Sequence, residues 1–217
     1  MPVPEFLALP LFRALYPRVR KSQGSPVPPI CRRPVSLDPK ISFEFNRFFN
    51  QWLLARAERP IEYDLPYPKI DFLNYLCDWR GLVAHGTNRS DLKTLEPIRL
   101  SSDSSEFGNR QQIFASPDTI WAMWFAVLDK DKYRTTRNGC VGIGTGERRE
   151  KYYHFELTRD LKGQFPFTSG TIYFARAEDF PSRHSIPVLK FFGAEFEEWG
   201  SETPVAPAAK IAVEPKD

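Results

Sequence analysis

The sequence predicts an α+β protein, with helical periodicity concentrated early and short strand-like runs dominating late. Two observations carry this. Ile41, Phe45, Phe48, Phe49, Trp52 and Leu53 recur at the spacing of one helical face. From Gly81 onward, short apolar runs bounded by glycine, proline and polar residues replace that pattern. A third segment, Ile120 to Leu128, returns to helical spacing through Ile120, Met123, Trp124, Val127 and Leu128, with Trp121 and Phe125 widening the face.

Before the first helix, residues 1–39 are rich in proline and arginine, and Pro26-Val27-Pro28-Pro29 predicts an extended arm. Residues 1–40 carry seven basic side chains (Arg13, Arg18, Arg20, Lys21, Arg32, Arg33 and Lys40) against Glu5 and Asp38, although the whole chain has a net charge of only +3. That charge does not argue for nucleic acid by itself; a basic arm can steer toward phosphates or an acidic surface, and solvated basic tails are common.

Asp38-Pro39 is a helix start, since Asp accepts orphan N–H groups and proline suits the first helical position. The helix is predicted to reach Glu58, ended by Arg59-Pro60. A proline-rich loop leads to Pro68, and Ile70, Leu73, Leu76 and Cys77 predict a second short helix, so residues 40–80 form a helical segment packing on the core.

Leu82-Val83-Ala84 reads as a strand running into a turn at His85-Gly86-Thr87. A polar loop over 101–109 precedes a strand at Gln112–Ala115, and Ser116-Pro117-Asp118 caps the aromatic helix. A charged loop is expected to continue to Asn138-Gly139, followed by strands at Cys140–Ile143, Tyr152–Leu157, Thr171–Ala175 and Ile186–Phe192, and a final apolar alternation at Ile211–Val213.

Composition excludes several classes. With 41% hydrophobic and 26% charged residues the chain can bury a core, and no apolar run approaches the ~18 residues of a membrane span. Cys31, Cys77 and Cys140 are odd in number and widely spaced, which argues against a disulfide framework and for buried thiols in an intracellular, cytoplasmic protein. His85, His154 and His184 lack the local spacing of a zinc helix, so no metal is predicted. Gly142-x-Gly144-x-Gly146 is followed by the charged run Glu147-Arg148-Arg149-Glu150-Lys151 rather than an apolar helix, which predicts a hairpin loop, not a phosphate cradle.

Three motifs remain: His85-Gly86-Thr87, then Phe114-Ala115 before the capped helix, then Glu198-Trp199 late in the chain. A strand-end imidazole beside a glycine, whose backbone a ligand can approach closely, suits a ribose and an amide. Trp121 or Trp124 offers a flat wall for a heteroaromatic ring. A late glutamate could stabilise positive charge.

In order and type these motifs resemble the ADP-ribosyltransferase superfamily, in its His-Tyr-Glu branch that includes the poly(ADP-ribose) polymerases. The resemblance covers residues 81–213 and implies a split β-sheet core with NAD as substrate. It implies that His85 contacts a ribose hydroxyl, that the Gly86 backbone pairs with the nicotinamide carboxamide beside Thr87, and that Trp124 stands where the second stacking aromatic is expected. Glu198 resembles the catalytic glutamate that begins a late strand, with Glu197 and Glu202 competing. Two departures mark the chain as divergent: Ile113 replaces the first aromatic, and Trp121 occupies the position of a carboxamide-binding serine, which Ser116 or Thr119 would have to replace.

The implied activity is transfer of a single ADP-ribose unit to a protein or nucleic-acid acceptor, or hydrolysis of NAD, with no membrane partner. Two alternatives stay open. One is an RNA 2′-phosphotransferase on the same fold, with Arg89, Arg99 and Arg110 as candidate phosphate contacts; the other is a catalytically silent module binding ADP-ribose, NAD or a protein.

Overall fold

Asp38 opens the first helix as its chemistry predicts. Its carboxylate accepts the Lys40 N–H at 2.7 Å and its carbonyl accepts the Ser42 N–H at 3.0 Å. The structure, a computed structural model, describes residues 10, 11, 14, 30–32, 34, 37–53, 57–98, 106–133, 135–144, 149–157, 163–189 and 194–217. In chain order its elements are β1 (Ile30–Arg32), α1 (Pro39–Leu53), α2 (Lys69–Trp79), β2 (Leu82–Thr87), β3 (Ile113–Ala115), α3 (Thr119–Val127), β4 (Thr135–Ile143), β5 (Glu150–Leu157), β6 (Gly170–Arg176), β7 (Ser182–Leu189), β8 (Ala194–Ser201) and β9 (Ala209–Val213). The class is α+β with antiparallel pairing throughout the paired strands. No helix among the described residues is long and apolar enough to cross a membrane.

The chain divides into two units, and it passes between them within β7 and again within β8. The first contains Met1–Pro34, Thr135–Thr158 and Ser185–Glu197. In it β5 pairs with β1 on one side and β4 on the other, and the beginning of β8 adds to β4 through Val141↔Phe196. The β4–β5 ladder closes at Ile143↔Glu150, so Gly142, expected in a loop, lies inside β4 opposite Lys151; Gly144, at φ 83°, follows the last pair, and Gly146 lies outside the described residues. The expected turn at Asn138-Gly139 is instead mid-strand, paired with Phe155 and His154; ladder formation overrides the local turn preference.

The second unit contains Val35–Arg134, Arg159–His184 and Glu198–Asp217. At its centre β6 pairs with β2 on one side and β9 on the other. The face carrying Ala84, Ile172 and Ile211 is covered by the three helices, whose Phe45, Phe72, Leu76 and Ala126 are completely buried in the same cluster. The opposite face carries Val83, Tyr173 and Ala175 and packs with Ile113, Ala115 and Trp199. The predicted aromatic stripe is therefore core: the Phe45 ring lies 5.4 Å from Phe72 and 5.6 Å from both Tyr67 and Tyr75.

Three boundaries differ from expectation. The first helix does not reach Glu58: its described residues end at Leu53, and Ala57 adopts φ 58°, a left-handed conformation that cannot continue a right-handed helix. His85, Gly86 and Thr87 belong to β2 itself, because their pairing with Tyr173, Ile172 and Thr171 carries the strand past the expected turn. The expected strand at Ile186–Phe192 starts earlier, at Ser182.

The start of α3 is fixed by a buried relay. Ser116 Oγ accepts the Asp118 N–H at 3.0 Å, and the Asp118 carboxylate accepts the Trp121 N–H at 3.0 Å, with Asp118 only 1% exposed. Asp118→Ala should cost about 1–2 kcal/mol, the upper range for a lost N-cap, because the orphaned amide cannot turn to water. Urea unfolding should show a lower midpoint with an unchanged slope, and Asp118→Asn should recover most of the loss.

Candidate functional site

All seven residues expected at the site lie in the second unit. Their arrangement follows from where β2 and β3 part. Ala84 and Ser116 exchange backbone hydrogen bonds, N to O at 2.8 and 3.0 Å, as an isolated antiparallel bridge. Continuing that register would pair Gly86 with Phe114. Instead His85 Nδ1 approaches the Phe114 carbonyl oxygen at 2.7 Å. The imidazole thus stands at the point of divergence between the two strands.

This contact fixes the chemistry of His85. A carbonyl oxygen can only accept, so Nδ1 carries the proton of this contact and the ring is held in one orientation. An oriented imidazole suits a hydroxyl group. Gly86 adds a second feature: N–H and C=O groups two residues apart leave a strand by the same edge. Those of Gly86 therefore project from the edge by which Ala84 holds Ser116, one step beyond the bridge, where a carboxamide could continue the ladder.

Gly86 has a further duty that sequence reasoning missed. A Cβ at this position would overlap the Ala122 carbonyl oxygen, and a Cβ at Gly170 on neighbouring β6 would overlap that of Ala126. Two glycines thus form the notch that seats α3 on the sheet. Asn88 completes the seat by donating Nδ2–H to the Ala126 carbonyl at 2.7 Å.

The remaining residues separate into groups. Trp121 is 5% exposed and belongs to the interior, whereas Trp124 is half-buried and meets Phe167 edge-on at 5.6 Å. Trp124 is therefore the better placed of the two to offer a ring. Thr119 is spent structurally: its hydroxyl, fully buried, donates to the Leu73 carbonyl at 3.0 Å and lies 3.2 Å from Cys77 Sγ. Ser116 is also buried, with Oγ engaged by the Asp118 amide. Thr87 is half-buried and its Oγ1 accepts the Arg89 N–H at 3.3 Å.

Glu198 lies inside β8, one residue before Trp199, whose Cα partner on β3 is Ala115. It does not begin the strand, as the motif suggested. Of its competitors, Glu197 falls in the first unit with Arg149 Nη2 3.4 Å away, and Glu202 is exposed beyond the strand. Pleating places Glu198 opposite Trp199, on the face shared by Phe114 and Gly200, while His85 leaves β2 on the Val83 face and turns its ring toward β3. The topology thus brings Glu198 to the strand next to β3, starting from the other face.

That face carries an aromatic group that no local motif announced. Phe107 lies 6.0 Å from Phe114 and stacks on His184 at 4.9 Å, while Gln112, 1% exposed, donates Nε2–H to the Phe107 carbonyl at 3.0 Å. His184 is 77 positions from Phe107 in sequence, so only the fold could bring the two rings together. Ile113 is 3% exposed within the core. Arg89 pairs with Asp91 at 2.9 Å, Arg110 lies 3.6 Å from Glu106, and Arg99 falls outside the described residues.

Cys77 and Cys140 are buried thiols, and no metal-binding group of His, Cys, Asp or Glu occurs among the described residues. The arm over 1–39 lies mostly outside the described residues. No family model, no curated protein and no solved structure matches the chain.

Proposed function

We propose that the chain is an NAD-consuming enzyme of the ADP-ribosyltransferase kind, transferring one ADP-ribose unit or hydrolysing NAD. The observation that carries the reading is the parting of β2 and β3 after the Ala84–Ser116 bridge, with His85 anchored on Phe114 and the Gly86 amide edge beyond it. The nicotinamide carboxamide would pair with that edge, its ring would lie against Trp124, and a ribose hydroxyl would hydrogen-bond to the His85 ring.

The chemistry asked of the site is modest in parts. The bond between the nicotinamide nitrogen and the ribose carbon breaks with its electron pair leaving on nicotinamide, which neutralises the pyridinium. The ribose gains oxocarbenium character, and an acceptor hydroxyl or water forms the new bond while losing a proton. Glu198 would stabilise the developing cation and take that proton, an effect worth about 3–4 kcal/mol for a well-placed group.

A second reading is favoured by Ile113, which the core absorbs instead of presenting a stacking wall, and by Glu198 starting on the face opposite His85. It is a module that binds NAD or ADP-ribose without cleaving it. Calorimetric titration with NAD tests what both share. One-to-one binding is expected, weakened about tenfold in His85→Ala by loss of one hydrogen bond to the ribose. Absence of binding by the folded wild type would remove both readings.

A further inference from the structure

His85, Tyr173 and Lys210 are direct cross-strand partners on adjacent β2, β6 and β9, forming one row across a single face of the sheet. Adjacent strands are ~4.8 Å apart, so the row spans about 10 Å from imidazole-bearing to ammonium-bearing backbone. Tyr173 is fully buried and Lys210 is 6% exposed, with its ammonium 6.0 Å from the centre of the tyrosine ring. A buried lysine is costly where a leucine would pack, so its contacts matter.

Those contacts converge on the segment that directly follows Thr87. Tyr173 donates its O–H to the Arg89 carbonyl at 3.2 Å and accepts the Leu92 N–H at 3.1 Å. Lys210 donates to the Ser90 carbonyl at 3.2 Å. Burial pushes the Tyr173 phenol up, which keeps the proton it donates. Three backbone groups between Arg89 and Leu92 are thus held by two side chains from the sheet floor. A polar loop ordinarily bonds to itself or to water; this one is tied down next to the His85-Gly86-Thr87 strand end.

We propose that Tyr173 and Lys210 are positioning residues that clamp residues 89–92 and thereby preform the ribose end of the dinucleotide site, an inference that rests on the NAD reading above. Neither needs to touch NAD. The row links the clamp to His85 itself, because moving the 89–92 segment would disturb the strand end from which the imidazole reaches Phe114.

The test uses the full chain and the variants Tyr173→Phe, Lys210→Met and Lys210→Arg, with two readouts. The first is tryptic cleavage at Arg89–Ser90 without NAD, followed by mass spectrometry; Arg89 is exposed, so cleavage reports release of the segment. The second is steady-state nicotinamide release, or NAD affinity if turnover is absent. Tyr173→Phe and Lys210→Met should cleave several-fold faster and raise KM, or the dissociation constant, roughly tenfold, with kcat within about twofold. Lys210→Arg should restore both.

Unchanged cleavage and unchanged KM in Tyr173→Phe would overturn the clamp. So would a parallel fall of kcat and of the circular dichroism signal, which would mark both residues as purely structural. If the wild type neither binds nor cleaves NAD, the functional reading fails separately, and the cleavage rates alone decide the clamp.

Discussion

Gly86→Val should largely unseat α3. The valine side chain would have to occupy the space of the Ala122 carbonyl, a backbone atom that cannot swing aside as a flexible side chain would. Overpacking against backbone belongs to the severe end of core substitutions, about 3 kcal/mol or more. For a chain of this length that corresponds to a fall in Tm of roughly 6–12 °C, readable by circular dichroism. Gly170→Val should act alike, through Ala126. Gly81 supplies the control: it has φ 64° with nothing within 4 Å of an added Cβ, so Gly81→Ala should cost only about 1 kcal/mol from backbone strain. A Gly86→Val protein melting within ~2 °C of wild type, the shift that about 0.5–1 kcal/mol would give, would show that α3 is not seated there.

Glu198→Gln should reduce nicotinamide release about 10²–10³-fold while leaving NAD affinity within about threefold. The substitution keeps size and hydrogen-bonding capacity but removes the charge needed when the ribose becomes cationic, so the loss belongs to kcat. Glu202→Gln, at an exposed position beyond the strand, should be close to wild type. Glu197→Gln should also retain activity, since that carboxylate already faces Arg149 at 3.4 Å. Full activity in Glu198→Gln would remove this residue from catalysis, and loss in Glu197→Gln would transfer the role.

Much of the fold was legible because the relevant signals are local. The Phe45, Phe48 and Phe49 stripe, the Asp38 and Asp118 starts, and the alternation at Ile211–Val213 all depend on spacing within one element, and each corresponds to an observed helix or strand. Failures arose where tertiary pairing outweighed local preference. Asn138-Gly139 has turn chemistry, yet seven successive pairings between β4 and β5, Arg137↔Glu156 to Ile143↔Glu150, absorb it. His85-Gly86-Thr87 read as a turn because glycine permits one, yet β6 extends the strand through all three.

The candidate site was legible only by motif, and the reasons differ by residue. Gly86 was read as a surface for a ligand, whereas its missing Cβ also seats a helix; sequence cannot separate the two uses because both need only hydrogen on Cα. Tyr173 and Lys210 carried no signal, since their partnership with the 89–92 segment depends on register across three strands. The Phe107–His184 stack joins residues 77 positions apart and had none either.

Incubation of the purified full chain with NAD, with free nicotinamide measured against time, reads the cleaved bond directly and presumes no acceptor. Nicotinamide should accumulate beyond one equivalent of protein, and Glu198→Gln should suppress it while still binding NAD. Folded protein that neither binds NAD nor releases nicotinamide would contradict the assignment of the His85–Gly86 strand end as a dinucleotide site.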